Sequence, residues 1–389
     1  MATAVVVDNG SCLIKAGFSG DEKPSVVCSS LVGRAKQQQT KPEILGASCK
    51  EVYLGSEISA DNRCFLNLTQ TVRNGFVQNW DDMEMIFSNL FYHELRIKTE
   101  DHPFMLVEHA LNPMYYSEKM MQLMFETFLV PKYFAKTSGA LILYSSGRYS
   151  GVACDVGHDV TTITPIYNGY SFYNAIKRVH MGGNNITQQL EKLLMIEKGY
   201  YTESSSDHEV CRMIKEKCCM VLPNYSEVVK SIMTPHAKDF IKTDEYAQIY
   251  TLPDGSSLTL DTERFRASEV LFNPQLIGRE VRGISDLISD SVEACDRDAR
   301  NDLFQNVILS GGTVQMEGFI DRVGADLQRL GHQVTIDTTD TENKYNSPFI
   351  GGSILCCMSS FEDSWISRDE YNECGSYALI RRRYNQYYY

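Results

Sequence analysis

A short motif that breaks an apolar strand with aspartate and glycine occurs in both halves of the chain. Residues 5–11 (VVVDNGS) lead into residues 13–18 (LIKAGF), and residues 152–159 (VACDVGHD) lead into residues 160–166 (VTTITPI). Each unit predicts a strand, a tight turn and a second strand, with Asp-x-Gly at the turn. Glycine permits the turn and lets backbone N–H groups approach an anion closely.

The two turns together favour a site for phosphates and a hydrated cation. Asp8 and Asp155 stand at the turns, where a carboxylate can hold the divalent cation that accompanies the phosphates of a nucleotide. One Asp-x-Gly turn alone is common and favours an ordinary hairpin. Two of them in a chain of 389 residues favour two similar domains with phosphates between them.

Composition limits the class of protein. The apolar fraction of 43% and the charged fraction of 22% are ordinary for a globular protein. A net charge of −13 argues against a general binder of nucleic acid or anionic membranes. We expect no membrane span and no secretory leader, since Met1 is followed almost at once by the first predicted strand. The 12 cysteines form no C-x-x-C pair, which favours a cytosolic or nuclear location.

Strand and helix patterns alternate along the chain and predict α/β layers. Residues 81–91, 117–128 and 209–221 have the periodicity of helices, and residues 181–186 (MGGNNI) introduce another. Residues 307–313 (VILSGGT) predict a strand that ends in a glycine-rich turn, and residues 349–354 (FIGGSI) repeat that pattern. The polar stretch 35–49 predicts an exposed, mobile loop. The C-terminal residues 381–389 (RRRYNQYYY) predict an exposed tail.

Many segments of the chain resemble actin. The first match is the turn itself, residues 8–11 with 15–18, and the others follow in the same order almost to the C-terminus. They are residues 79–84 (NWDDME), 124–128 (MFETF), 143–148 (LYSSGR), 164–170 (TPIYNGY), 214–217 (IKEK), 252–255 (LPDG), 263–266 (ERFR), 309–313 (LSGGT), 350–355 (IGGSIL) and 365–367 (WIS). The resemblance to the actin family therefore covers essentially the whole chain.

The resemblance implies the α/β actin-like ATPase fold, with two duplicated domains, or four subdomains, around a nucleotide cleft. The first domain would comprise residues 1–145 and 345–389, with a small subdomain at about 33–70. The second would comprise residues 146–344, with an inserted subdomain at about 182–265. The long polar loop would be the family's polymer-contacting loop.

The resemblance also assigns site residues for ATP or ADP with Mg²⁺ or Ca²⁺. Asp8 and Asp155 would hold the metal through water. The first phosphate loop would carry Ser11, Cys12, Leu13 and Lys15, and the second Gly157, His158 and Val160. The ribose, base and adenosine side would be formed by Gly183, Lys215, Glu216, Gly311, Gly312, Thr313, Met316 and Lys344. Lys15 has a physical reason to lie there, because an ammonium neutralises phosphate oxygens as a point charge.

Three polar positions of the phosphate site depart from the family pattern. Ser138 stands where hydrolysing members have a glutamine that places the attacking water, in a segment one residue longer. Thr162 replaces a histidine, and His158-Asp159 replaces Asp-Gly. Cys12 also replaces a glycine, which removes backbone freedom. Because such groups position water and cation, their loss predicts weak or absent hydrolysis. His158 could act as a substitute base, or the site has simply drifted.

Two functions remain open. The first is a nucleotide-stabilised structural subunit of a larger assembly, with other actin-family subunits or a complex such as a dynein arm, a dynactin-like filament or a chromatin-remodelling assembly as partner. The second is a self-polymerising, filament-forming actin with ATPase activity. Both imply a cytoplasmic, cytoskeletal protein, with the ciliary axoneme or nucleus as other locations, and neither involves direct nucleic-acid binding. A sugar kinase or chaperone of the same superfold is excluded, because the matched segments lie outside the shared phosphate motifs.

Overall fold

Strands and helices alternate along the chain in the computed structural model, which describes residues 3–36, 50–59, 61–233, 246–337, 341–384 and 387–388. The strands are β1 (Val5–Asn9), β2 (Leu13–Phe18), β3 (Val26–Ser29), β4 (Leu31–Ala35), β5 (Val52–Leu54), β6 (Leu66–Gln70), β7 (Val72–Arg73), β8 (Phe76–Val77), β9 (Phe104–Glu108), β10 (Lys132–Thr137), β11 (Gly151–Val156), β12 (Thr161–Tyr167), β13 (Tyr170–Phe172), β14 (Lys177–Val179), β15 (Gln248–Thr251), β16 (Ser257–Leu260), β17 (Val307–Ser310), β18 (Ile366–Ser367) and β19 (Tyr387–Tyr388). The helices are α1 (Trp80–Ser88), α2 (Met114–Gln122), α3 (Ser138–Ser145), α4 (Gly183–Lys198), α5 (Ser205–Cys218), α6 (Tyr225–Met233), α7 (Glu263–Arg266), α8 (Ile284–Glu293), α9 (Arg297–Phe304), α10 (Phe319–Arg329), α11 (Ser347–Cys357), α12 (Arg368–Cys374) and α13 (Tyr377–Tyr384).

Two mixed sheets share one strand pattern. In the first, β1 pairs antiparallel with β2 and parallel with β9. In the second, β11 pairs antiparallel with β12 and parallel with β17. The Asp-x-Gly turns therefore occupy equivalent places, each between the first two strands of its sheet. The strand–turn–strand prediction is confirmed at both sites, and the α/β actin-like fold class is confirmed as well.

Each sheet is covered by helices, which buries the strands on both faces. Strand β11 is buried along its whole length, as expected of a central strand between helical layers. One core cluster joins the second sheet to the helices α4, α5, α8, α9 and α10, and another joins the first sheet to α1 and α2. This packing fixes both sheets and so fixes the positions of the two turns.

The segment 349–354 is a helix, and its prediction as a strand with a glycine-rich turn is wrong. Helix α11 runs through Gly351 and Gly352, which lie against α3 and β1. A methyl group on Gly351 would lie 1.9 Å from the Leu141 carbonyl oxygen, and one on Gly352 would lie 2.8 Å from Val6 Cγ1. The glycines therefore serve close packing between elements and do not form a turn.

The other helix predictions are confirmed with shifted ends. Helix α2 starts at Met114 and passes into a π-helical turn, Leu123–Thr127. Helix α5 starts earlier than expected because Ser204 caps it, its Oγ accepting from the Asp207 N–H at 3.3 Å. It ends at Cys218. None of the helices in the described ranges has the length and apolarity needed to cross a lipid bilayer.

A small three-stranded sheet, in the order β5-β4-β6, lies within the predicted small subdomain. Residues 37–49 of the predicted long loop lie outside the described residues. Near the C-terminus, the backbone of β19 pairs parallel with β13. The edge of β13 offers unpaired backbone groups to an extended segment, and the exposure of the tail stays a prediction.

Candidate functional site

The two Asp-x-Gly turns face each other across one cavity of about 490 Å³. The predicted residues that line it are Asp8, Ser11, Cys12, Leu13, Lys15, Asp155, Gly157, His158, Val160, Lys215, Glu216, Gly311, Gly312, Thr313 and Met316. A second cavity of about 530 Å³ lies between β5 and α1 and contains none of these residues. The predicted site residues therefore converge on one place, although they come from four separate segments of the chain.

The first turn places a lysine beside an aspartate. Asp8 and Lys15 are cross-strand partners in the β1–β2 pair, and Lys15 Nζ lies 3.1 Å from Asp8 Oδ2. Lys15 also donates to the backbone carbonyl of Tyr345. The ammonium is thus held at the cavity wall by two acceptors, in position to meet an anion. In the same turn, burial raises the pKa of the Cys12 thiol.

The second turn is held by the start of helix α4 and by the glycine-rich segment after β17. The Gly157 carbonyl accepts from Gly183 N–H at 3.0 Å and from Thr313 Oγ1 at 2.9 Å. A methyl group on Gly182 would lie 2.6 Å from the same carbonyl oxygen. Close approach of three segments therefore requires glycine here, which gives the predicted MGGNNI motif a structural reason.

The opposite wall of the cavity contains a buried lysine, Lys215, and a glycine with free space beside it, Gly312. Lys215 Nζ donates to the Gly183 carbonyl at 3.1 Å, and burial lowers its pKa. Gly311 has a positive φ of 99°, so only glycine adopts its conformation easily. A methyl group on Gly312 would meet no other atom within 4 Å. Gly312 consequently leaves space at the cavity wall that a side chain would fill.

Four of the predicted residues do not line the cavity. Gly183 lies just behind the wall, where a methyl group on it would lie 3.0 Å from Lys215 Nζ. Lys344 is directed away, since its Nζ donates to the Asp337 carbonyl at 2.7 Å. Ser138 and Thr162 are buried. Ser138 lies beside the Asp155 carboxyl group, and Thr162 is the cross-strand partner of Asp155.

His158 is poorly suited to the substitute-base hypothesis. Burial, followed by the nearby cations Lys215 and Arg212, lowers its pKa well below 6.5. Its Nε2 lies 3.2 Å from Gln70 Nε2, at the end of β6. In the neutral ring this nitrogen can accept from the Gln70 amide. His158 therefore connects the second turn to the small sheet.

The cavity also contains His109 and Tyr345, which the sequence interpretation missed, and Asp159, which it named only as a departure from the family pattern. Asp159 holds the turn between β7 and β8, since its Oδ2 accepts from Asn74 N–H at 3.1 Å. His109 follows the carboxyl end of β9, next to the end of β1 that bears Asp8. Ligands of α/β sheets commonly bind at the carboxyl ends of strands. That rule, applied to β9, could have identified His109.

The donor set fits a nucleotide with a hydrated cation. Lys15 and Lys215 supply positive charge for phosphates, while Asp8 and Asp155 supply two carboxylates. Burial raises the pKa of Asp155, and the charge of Asp8 acts in the same direction. A cation between the two carboxylates would relieve this repulsion. Within the described residues, no three His, Cys, Asp or Glu side chains form a metal-binding group.

One comparison with known proteins concerns the whole chain. The family model described as Actin matches residues 1–385. The match includes both turns, the glycine-rich segment after β17 and helix α11.

Proposed function

The chain belongs to the actin family, a family of cytoskeletal proteins, and on that premise we propose that it binds ATP or ADP with a divalent cation in the cavity between the two turns. Proteins with the actin fold generally bind this ligand pair. The observation that carries the proposal is the convergence of both Asp-x-Gly turns, Lys15 and Lys215 on one cavity. Asp8 and Asp155 would hold the cation through water, and Lys15 would meet the phosphates.

We further propose that the two sheets, which share one strand pattern, belong to two domains. The first domain would comprise residues 1–145 and 345–389, and the second would comprise residues 146–344. The small subdomain would lie at about 33–70 and the inserted one at about 182–265. Bound nucleotide would then contact both domains through the two turns. Ligand that binds only the folded state stabilises it by mass action, so the nucleotide would join the two domains energetically.

The direct test is to denature the purified protein and quantify the adenine nucleotide and Mg²⁺ or Ca²⁺ released. We expect close to one nucleotide per chain. The variant Lys15→Ala should retain much less, because it removes the ammonium beside Asp8. Lys50→Ala is the matched control, since Lys50 is an exposed lysine paired with Glu57. A chain that releases no nucleotide, and takes up none from solution, would contradict the proposal.

Hydrolysis of the bound ATP would be weak or absent. The groups at the two altered positions, Ser138 and Thr162, are buried behind the cavity wall and do not line it. The His158 ring is engaged with Gln70. Water positioning depends on polar groups that reach the phosphate. Ser138, Thr162 and His158 do not supply a free polar group of this kind.

We propose that the chain works as a subunit of a larger assembly. Candidate hosts are filaments of other actin-family subunits, a dynein arm, a dynactin-like complex or a chromatin-remodelling complex, in the cytoplasm, the axoneme or the nucleus. Tyr149, Ile354 and Met358 are large apolar side chains that are 65%, 43% and 51% exposed. Ile354 and Met358 lie near the end of α11, and such a surface suits an apolar helix of a partner.

High-speed sedimentation in Mg-ATP separates this proposal from a self-polymerising actin. A subunit whose assembly depends on partners stays in the supernatant at all protein concentrations. A pellet that grows above a critical concentration would establish the alternative, a filament-forming ATPase. Tyr149→Ser with Met358→Ser should weaken capture of a partner without changing the amount of bound nucleotide.

A further inference from the structure

The last strand on one side of the second sheet comes from the C-terminus of the chain. The order of that sheet is β17-β11-β12-β13-β19. Strand β19 pairs parallel with β13, Tyr387 opposite Ser171 and Tyr388 opposite Phe172. Without β19, β13 would be the edge strand on this side. Its outward backbone N–H and C=O groups would then be open to pairing with any extended segment.

Strand β13 is held in place without the help of β19. It forms a hairpin with β12, closed by Asn168 and Gly169. Their φ values of 51° and 83° fit the two-residue turn that an Asn-Gly pair favours. The turn is fixed to the segment before β11, since Gly169 N–H donates to the Tyr149 carbonyl at 2.7 Å and Asn168 N–H donates to Ser150 Oγ at 2.8 Å. The edge of β13 is therefore a preformed template for an added strand.

The C-terminal segment reaches this edge from the core of the other sheet. Helix α13 is anchored in that core, because Ala378 and Leu379 are buried in the cluster that contains the first sheet. Two residues of sequence separate the end of α13 at Tyr384 from the start of β19 at Tyr387. A strand on such a short connection has an effective concentration that is roughly millimolar. This tether favours the chain's own C-terminus over a free segment of the same sequence.

The edge of β13 suits a particular kind of segment. Tyr170 and Tyr173, which lie on β13 and directly after it, are each 48% exposed. The C-terminal residues 384–389 (YNQYYY) are rich in tyrosine and carry no charged side chain. Tyrosine favours strands, and aromatic residues on neighbouring strands stabilise each other. An extended, uncharged, tyrosine-rich segment is therefore the ligand that matches this edge.

We propose that the edge of β13 is a strand-addition site for an extended, tyrosine-rich segment, and that the C-terminus of this chain occupies it in cis. A segment of this kind on another molecule would bind β13 only by displacing β19. The pairing also connects the core of the first sheet to the second sheet, so displacement would release one link between them. Among the described residues, neither β13 nor β19 lines the nucleotide cavity, and the inference goes beyond the proposed function.

Proline substitution tests the pairing through the backbone alone. The variant Tyr387→Pro with Tyr388→Pro removes both backbone N–H groups of the strand. The matched control is Tyr387→Phe with Tyr388→Phe, which keeps both N–H groups and the aromatic character. We expect amide hydrogen exchange of residues 170–173, measured by mass spectrometry, to be about tenfold faster in the proline variant than in wild type. The phenylalanine variant should exchange like wild type, and all three proteins should contain the same amount of nucleotide.

A labelled peptide with the sequence of residues 384–389 tests the site in trans. The proline variant should bind this peptide at least about tenfold more tightly than wild type or the phenylalanine variant does, because its own C-terminus no longer competes. The same peptide with Tyr387→Pro and Tyr388→Pro is the control ligand, and it should not bind to any of the three proteins.

Three outcomes would overturn the proposal. Equal exchange of residues 170–173 in all three proteins would mean that β19 does not cover β13 in solution. Failure of the proline variant to bind the peptide would show that the uncovered edge is not a strand-addition site. Equal affinity of wild type and the proline variant for the peptide would place its binding site elsewhere on the protein.

Discussion

His158 makes the stability of the protein depend on pH. Its folded-state pKa lies well below 6.5, because burial and the charges of Lys215, Arg212 and His208 disfavour the imidazolium. As pH falls through 6.5, the unfolded chain takes up a proton that the folded chain does not, so stability is lost on acidification. We expect a loss of up to about 1.4 kcal/mol per pH unit from this residue.

The measurement is the melting temperature of wild type and His158→Gln over a pH series. Above neutral pH the two curves should run parallel, because the imidazole is neutral in both states of the wild type. Below pH 6.5 the wild-type melting temperature should fall more steeply. Parallel curves over the whole acidic range would mean that His158 takes up its proton in the folded protein without penalty.

At the residue scale, the sequence predicted those site residues whose position follows from local structure. Asp8, Lys15, Asp155 and Gly157 lie in or beside tight turns, and the turn alone brings them to the cavity. His109 could not be found in this way, since it lies in no turn motif and its surroundings depend on a residue distant in sequence, Gly75. Lys344 shows the converse, because its partner Asp337 draws its side chain away from the cavity.

At the element scale, the packing of α11 against α3 gives a sharp stability prediction. In Gly351→Ala the added methyl group would lie 1.9 Å from the Leu141 carbonyl oxygen, so the two helices must separate. We expect a loss of about 1–3 kcal/mol, although alanine alone favours a helix. Gly324→Ala, in the interior of α10, is the matched control, because its methyl group would lie 3.5 Å from Ile336 Cδ1.

Urea unfolding of both variants tests this contrast. Gly324→Ala should raise the midpoint slightly, since alanine is better than glycine in a helix by about 1 kcal/mol. Gly351→Ala should lower it. If both substitutions stabilise the protein, the close contact between α11 and α3 does not constrain the fold.

The same pair of helices shows why element type could not be predicted everywhere. The segment FIGGSI is apolar with two glycines, which resembles the strand and turn at VILSGGT. Strand β17 has the parallel partner β11 that its sequence requires. Residues 349–354 instead form part of a helix that packs on α3. Its glycines allow close contact with neighbouring elements, and no local sequence pattern reveals that contact. Where apolar periodicity was long, as in α4 and α5, the helix prediction was confirmed.

At the scale of the whole molecule, three hydrogen bonds join the segment 66–74 to the second sheet and its helices. Leu68 N–H donates to Ser205 Oγ at 3.1 Å, and Gln70 Nε2 lies 3.2 Å from His158 Nε2. Asn74 N–H donates to Asp159 Oδ2 at 3.1 Å. These contacts connect residues on either side of the cavity that both turns line. They are therefore candidates for the elements that hold the cleft closed.

Loss of these contacts should speed nucleotide exchange more than it lowers stability. The double variant Gln70→Ala with Ser205→Ala removes two side-chain hydrogen bonds, each worth about 1 kcal/mol. If both break when the cleft opens, exchange should accelerate by about tenfold or more, because 1.4 kcal/mol corresponds to a factor of ten. Global stability should change little, since each residue lies outside the buried core clusters.

Release of a fluorescent ATP analogue, chased with excess ATP, measures the exchange rate. Ser256→Ala is the control, because it removes a comparable hydroxyl whose bond to Asp254 lies at the surface, far from the cavity. An unchanged rate in the double variant would mean that the cleft opens without separating the small sheet from α5. Nucleotide release would then be governed by the two turns and by Lys15, whose link to the Tyr345 carbonyl and Asp8 would have to break instead.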